Sequence, residues 1–180
     1  MKAVVVYESL WGNTAAVARA IAEGIGAEAR VLSTAEASSA VVADAELIVA
    51  GAPVLGFRLP DERMRETIRA NPGDAPTPPD LSHPPLRAWL AALPKGRGRA
   101  AAFETRIWWS PGGATGAIER GLAQAGYRPV VKAQRFIVTG KYGPLREGEL
   151  ERARRWGAEI GQAMNSAASM VQPDDSRGEQ

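Results

Sequence analysis

No cysteine occurs in the 180 residues, which excludes a disulfide scaffold, thiol nucleophiles, iron–sulfur ligation and cysteine-bound zinc together. Histidine is almost missing too. His83 is the only one, so a His-rich metal site is also excluded. Aromatic residues make up only 6% of the chain, and long apolar runs are lacking. The opening apolar stretch spans only Ala3 to Tyr7 before Glu8, too short for the hydrophobic region of a signal peptide. Asp44 and Glu46 interrupt the most apolar window, well short of the about 20 residues of a membrane span. The expectation is a cytoplasmic protein without a membrane partner.

What is present fits one globular domain: 45% apolar and 23% charged residues, near the averages for folded chains. Net charge is +2, unevenly spread, with three Lys/Arg against six Asp/Glu in residues 1–51. The remaining cations are scattered, without the basic face and interleaved aromatics of a nucleic-acid site, so no nucleic-acid partner is expected.

Strand and helix signals alternate. Ala3 to Tyr7 is an apolar, β-branched run without alternation, as in a strand covered on both faces of a parallel sheet. Val17, Ile21 and Ile25 then recur every fourth residue on a helix from Asn13 that Gly26 stops. Ala29 to Leu32 and Glu46 to Ala50 predict a second and third strand, with a short helix between them at 35–43.

Seven of the thirteen prolines fall between Pro60 and Pro85. Residues 58–85 therefore read as a long insertion or lid, with one or two helical turns over Asp61 to Arg69. Leu86, Trp89, Leu90 and Leu93 mark a helix, and Arg99 to Phe103 a fourth strand. An irregular stretch from Glu104 to Gly113 precedes a helix carrying Ile118 and Leu122. Pro129 to Thr139 predicts a fifth strand without long interruption, and Leu150 to Met164 a last helix. A single domain over 1–165 and a polar, disordered tail over 166–180 are expected. Five β–α alternations imply an open parallel sheet with helices on both faces.

In such sheets ligands bind outside the carboxyl ends of the strands. The loop after the first strand reads Glu8-Ser9-Leu10-Trp11-Gly12-Asn13-Thr14 and runs straight into a helix. Hydroxyls, a flexible glycine and the positive helix end converge there, which suits a phosphate. The loop holds no Lys or Arg, so it is not an ATP-hydrolysing P-loop. Helix starts favour Ser, Thr and Asn in any case, so a plain capped turn is the competing reading. Gly24-x-Gly26-x-x-Ala29 matches a relaxed dinucleotide fingerprint, but it closes a helix and enters a strand, the reverse of the required order.

Ser9-x-x-Gly12-Asn13-Thr14 after a hydrophobic strand resembles the phosphate loop of flavodoxins, the FMN-binding electron carriers, and of their flavodoxin-fold enzyme relatives. The resemblance is specific over about residues 3–26 and holds in element order to about residue 164. It implies a flavodoxin-like α/β fold, an open five-stranded parallel sheet in order 2-1-3-4-5, with FMN at the loops after strands one, three and four. Carried over, Ser9, Leu10, Trp11, Gly12, Asn13 and Thr14 would hold the phosphate. Pro53, Val54, Leu55, Gly56 and Phe57 would form the first ring loop. Glu104, Thr105, Arg106, Trp108, Trp109, Gly112 and Gly113 would form the second.

Leu55, Trp108 and Trp109 suit the faces of a planar ring. Trp108 and Trp109 also suit a core edge or subunit interface, Trp11 a neighbouring loop, Arg106 a surface cation and His83 a loop position. Two departures from the family stand out: Glu104-Thr105 replaces the usual Gly-Asp pair, and the chain is mildly basic where classical flavodoxins are acidic.

Three functions follow. The first is an FMN-binding electron-transfer protein with a reductase or acceptor protein as redox partner. The second is an FMN-dependent oxidoreductase using NAD(P)H and a quinone. The third is a flavin-free relative acting as a binding module.

Overall fold

A computed structural model describes residues 1–169. Its strands are β1 (Ala3–Tyr7), β2 (Arg30–Ser33), β3 (Leu47–Pro53), β4 (Arg99–Ile107), β5 (Arg128–Pro129) and β6 (Gln134–Val138). Its helices are α1 (Asn13–Ile25), α2 (Ser39–Val42), α3 (Glu62–Ala70), α4 (Leu86–Ala91), α5 (Thr115–Gln124) and α6 (Glu149–Ser169).

Every strand pairing is parallel, in the order β2-β1-β3-β4-β5, with β6 also on β4. The expected order 2-1-3-4-5 is therefore observed. The fifth position, however, is split between two short strands. β5 pairs with Arg99 and Ala100, whereas β6 pairs with Phe103 to Ile107.

Successive strand residues point to opposite faces, and both faces of this sheet are dry. Val4, Val6, Ile48 and Ala50 pack with Leu86, Trp89 and Leu90 of α4 and Ile118 and Leu122 of α5. Val5, Leu47, Val49 and Phe103 pack with Val17 and Ile21 of α1 and Trp156 and Ile160 of α6. Helices thus cover both faces, as the unbroken apolar strands require. The α1–α6 crossing is close enough that a Cβ on Gly157 would stand 2.2 Å from the Ile21 carbonyl oxygen, and one on Gly24 2.0 Å from that of Arg154. The glycine of the discarded dinucleotide fingerprint therefore serves helix packing.

Two boundaries differ from expectation. β4 runs on to Ile107, so Glu104, Thr105 and Arg106 are buried strand residues and not the start of a loop. Their charges are satisfied inside: Arg106 Nη1 donates to Glu104 Oε1 at 3.0 Å, and the main-chain N–H groups of Ala114 and Thr115 donate to Glu104 Oε2 at 2.6 and 2.9 Å. Glu104 thereby caps α5, whose own first residues offer no side-chain cap. α6 continues to Ser169, past the boundary expected near residue 165. The remainder of the expected tail, 170–180, lies outside the described residues. Among the described residues no helix is long and apolar enough to cross a membrane.

Candidate functional site

The sheet order reverses between β1 and β3, and a cleft of about 190 Å³ opens at the carboxyl ends of these strands. Its first wall is the β1–α1 loop. Here the chain must turn sharply from strand to helix, and Gly12 allows the turn by adopting φ +86°. Ser9, Leu10, Trp11, Asn13 and Thr14 line the cleft; Gly12 is exposed outside it.

This wall is rich in unused donors. Ser9 Oγ and Trp11 Nε1 are buried without a hydrogen-bond partner. Among the described residues, no hydrogen bond is donated by the main-chain N–H groups of residues 10–14. Buried polar groups are normally paired, and each one left alone costs about 1–3 kcal/mol. Orphaned donors collected at a helix N-terminus suit an oxyanion such as a phosphate ester. The Thr14 and Thr105 hydroxyls bond each other at 2.8 Å and join this loop to β4.

Pro53, Val54, Leu55, Gly56 and Phe57 supply the second wall. Leu55 and Arg58 exchange main-chain hydrogen bonds of 3.0 and 3.1 Å around a tight turn in which Gly56 and Phe57 have φ +50° and +67°. A bulky side chain in the left-handed region costs about 1–2 kcal/mol, and Phe57 is 53% exposed, so burial does not offset that cost.

The third wall carries Thr105, Arg106, Ile107, Trp109 and Ser110. Four residues assigned to the second ring loop from sequence do not reach the cleft. Glu104 lies behind it, fully buried, as the cap of α5. Trp108 points into solvent at 73% exposure. Gly112 and Gly113 face the second wall instead. The Gly113 N–H donates to the Phe57 carbonyl at 3.0 Å, and a Cβ on Gly112 would meet that carbonyl oxygen at 2.1 Å. They couple the second and third walls.

Sequence reasoning missed Ile107, Ser110, Val138 and Lys141. Lys141 lines the cleft, and its Nζ stands 5.1 Å from the centroid of the Tyr142 ring. Its segment follows β6 and folds back on the β1–α1 loop. Asn13 Nδ2 donates to the Tyr142 carbonyl at 3.0 Å, and the Trp11 and Tyr142 rings meet edge to face at 4.9 Å. The Gly140-Lys141 pair just beyond the last strand was the available signal, because that strand ends on the same edge of the sheet.

None of residues 58–85 lines the cleft. Their α3 and Pro-rich part pack behind the β1–α1 loop. Arg65 Nη1 donates to Glu8 Oε1 at 2.7 Å, and the Leu86 N–H donates to Glu8 Oε2 at 2.8 Å. Burial pushes the Glu8 carboxyl above its usual pKa, against the opposing pull of these donors. His83 is buried, with Nε2 3.1 Å from the Ser9 carbonyl oxygen and Nδ1 3.3 Å from Thr34 Oγ1. Among the described residues no cluster of three or more acidic or histidine side chains could hold a metal ion.

No family model matches the chain, and no curated protein matches it in sequence. Solved structures do resemble it. A flavodoxin from the domain Archaea is 23% identical, with a TM-score of 0.63 over 92% of this chain and 99% of that one. Oxidised flavodoxin 1 from Bacillus cereus is 19% identical, with a TM-score of 0.62 over 90% and 98%. A flavodiiron core from Synechocystis is 19% identical, with a TM-score of 0.60 over 92% of this chain but only 36% of that one. Together with the strand order, these likenesses show that the chain has the flavodoxin-like fold.

Proposed function

We propose that this chain binds FMN in the cleft and works as an electron-transfer protein. The observation that carries the reading is the set of partnerless donors, Ser9 Oγ, Trp11 Nε1 and the N–H groups of Leu10, Trp11, Asn13 and Thr14, gathered at the crevice where the strand order reverses. An apo protein gains nothing from buried donors without acceptors, whereas a phosphate ester would satisfy several at once. Flavodoxin-fold neighbours support a flavin as the group that carries it.

Bound FMN would supply the redox chemistry, through a ring that takes up and returns electrons. The chain's part is to hold and desolvate that ring. Leu55 and Trp109 offer apolar surface on opposite walls. The Leu55–Arg58 turn brings main-chain polar groups to the rim between them. Arg106 is anchored by Glu104 and by the Gly112 carbonyl, so its charge stands at a fixed place on the third wall. The β1–α1 donors would carry the phosphate charge.

The cleft is smaller than the ~300–1,000 Å³ of sites that engulf a drug-sized ligand. A tricyclic ring held there keeps an edge in solvent, which suits exchange of electrons with a reductase or acceptor protein. Exposed Phe57 and Trp108 beside the cleft give such a partner apolar surface to touch.

The test is a visible absorption spectrum of the purified protein before and after incubation with FMN, followed by stepwise reduction. Stoichiometric FMN binding and reversible reduction are expected, with no steady NAD(P)H oxidation unless a reductase is added. A sample that binds neither FMN, riboflavin nor FAD sinks the reading. Steady NAD(P)H:quinone turnover by the protein alone would replace it with the oxidoreductase reading.

A further inference from the structure

We infer that Arg65 and His83, both in the Pro-rich insertion and outside the cleft, are positioning residues that aim the Leu10 and Trp11 N–H groups into the anion cradle and so set the preference for a phosphorylated over an unphosphorylated flavin. This rests on the FMN reading above.

The argument is peptide geometry. In a trans peptide the carbonyl of one residue and the N–H of the next point in opposite directions across a rigid plane. The Ser9 carbonyl lies 3.1 Å from His83 Nε2, and the Leu10 carbonyl accepts from the Asp80 N–H at 2.8 Å. Both carbonyls are thus tied to the insertion. The N–H groups of Leu10 and Trp11 must point the other way, toward the cleft that these two residues line. A free strand-to-helix loop would have no reason to hold two successive peptides in that sense.

One side chain of the insertion ties it to the end of β1. The Arg65 guanidinium, 1% exposed, donates to Glu8 Oε1 at 2.7 Å, to the Leu81 carbonyl at 3.3 Å and to the His83 carbonyl. Glu8 immediately precedes the cradle, and its second oxygen accepts the Leu86 N–H at 2.8 Å. The same guanidinium therefore fixes both ends of the His83 to Ser9 connection. Asp80 is held in its own turn by bonds from Ser82 N and Oγ at 3.0 and 2.6 Å. None of the hydrogen bonds of His83, Asp80 and Ser82 runs to the second or third wall, so the effect of His83 falls on the phosphate end, whereas α3 meets the second wall where Met64 packs against Gly56.

The test compares FMN and riboflavin, which share the ring and differ in the phosphate. In His83→Ala the dissociation constant for FMN is expected to rise about tenfold, the size of one lost hydrogen bond to a charged site, while that for riboflavin stays within about twofold. His83→Gln keeps an amide donor near the Nε2 position and is expected to restore most of the difference. Amide hydrogen exchange of residues 10–14 in the flavin-free protein should be faster in His83→Ala than in wild type. Should His83→Ala fail to fold, Arg65→Lys, which keeps the charge but loses the fork, is expected to give the same split between the two flavins. Equal weakening of FMN and riboflavin overturns the inference, as does an unchanged FMN constant with unchanged exchange. If wild type binds no flavin, the FMN reading falls, and the exchange comparison still decides whether the insertion orients these peptides.

Discussion

Ser9 illustrates how a residue can be legible in sequence for its type and illegible for its cost. A hydroxyl before a helix reads as a phosphate contact or as a cap, and the sequence alone does not separate the two. In the structure α1 has no side-chain cap, and Ser9 Oγ is buried without a partner. Removing a buried polar group that has no partner is neutral or favourable, whereas removing one that binds a ligand weakens the complex. Ser9→Ala is therefore expected to leave the flavin-free protein as stable as wild type or more stable by up to about 1 kcal/mol, and to raise the FMN dissociation constant about tenfold. Urea denaturation without flavin and a fluorescence titration with FMN check the two halves, and a loss of apo stability would show that the hydroxyl is a cap after all. Phe57 was harder to foresee. Its left-handed backbone beside Gly56 gives no sequence signal, because such a turn would ordinarily take a glycine or asparagine at both central positions.

Among the elements, α1 was read to the residue, whereas the end of β4, which carries buried charge, and the end of α6 were not. α1 matched because three aliphatic residues four apart define its buried face. β4 was cut short at Phe103 because Glu104 and Arg106 look like loop residues until each is seen to satisfy the other and the start of α5. Glu149 repeats the pattern at the start of α6. Its buried carboxylate accepts from Arg146 Nη2 at 2.8 Å, Arg152 Nη2 at 2.5 Å and the Ile137 N–H at 2.9 Å, tying α6 to β6. Burial works against its ionisation, but Arg152, the Ile137 N–H and Arg146 together outweigh it and hold its pKa below the ordinary 4.5. A lowered folded-state value means that the stabilisation is complete above the unfolded value and is lost as pH falls through the folded one. Stability should thus decline on acidification below about pH 5, and Glu149→Gln should flatten that decline while lowering stability at pH 7. Denaturant midpoints measured from pH 7 to pH 3 test this, and an acid limb of equal slope in the variant would assign the decline to other carboxylates.

At the scale of the whole molecule, alternating strands and helices pointed to an open parallel sheet, the strand order came with the resemblance to flavodoxins, and the crevice then follows from where that order reverses. What stayed hidden was long-range. Lys141 reaches the cleft only because β6 ends beside β4, and residues 58–85 brace the β1–α1 loop from behind through Arg65, 57 residues away from Glu8 in sequence. Neither placement has a local signature. On the proposed function these three distant segments together make the FMN site, which predicts how binding and folding are linked. A ligand that binds only the folded state adds stability by mass action, about 2.7 kcal/mol at one hundred times its dissociation constant, or roughly 5–10 °C in a domain of this size. FMN at that excess should shift the melting temperature by that amount. Riboflavin at equal concentration should shift it less, and inorganic phosphate at tens of millimolar should give a small shift that FMN abolishes by competition. A phosphate shift that persists and adds to that of FMN would place the anion elsewhere on the surface and detach the orphaned donors of the β1–α1 loop from the cofactor.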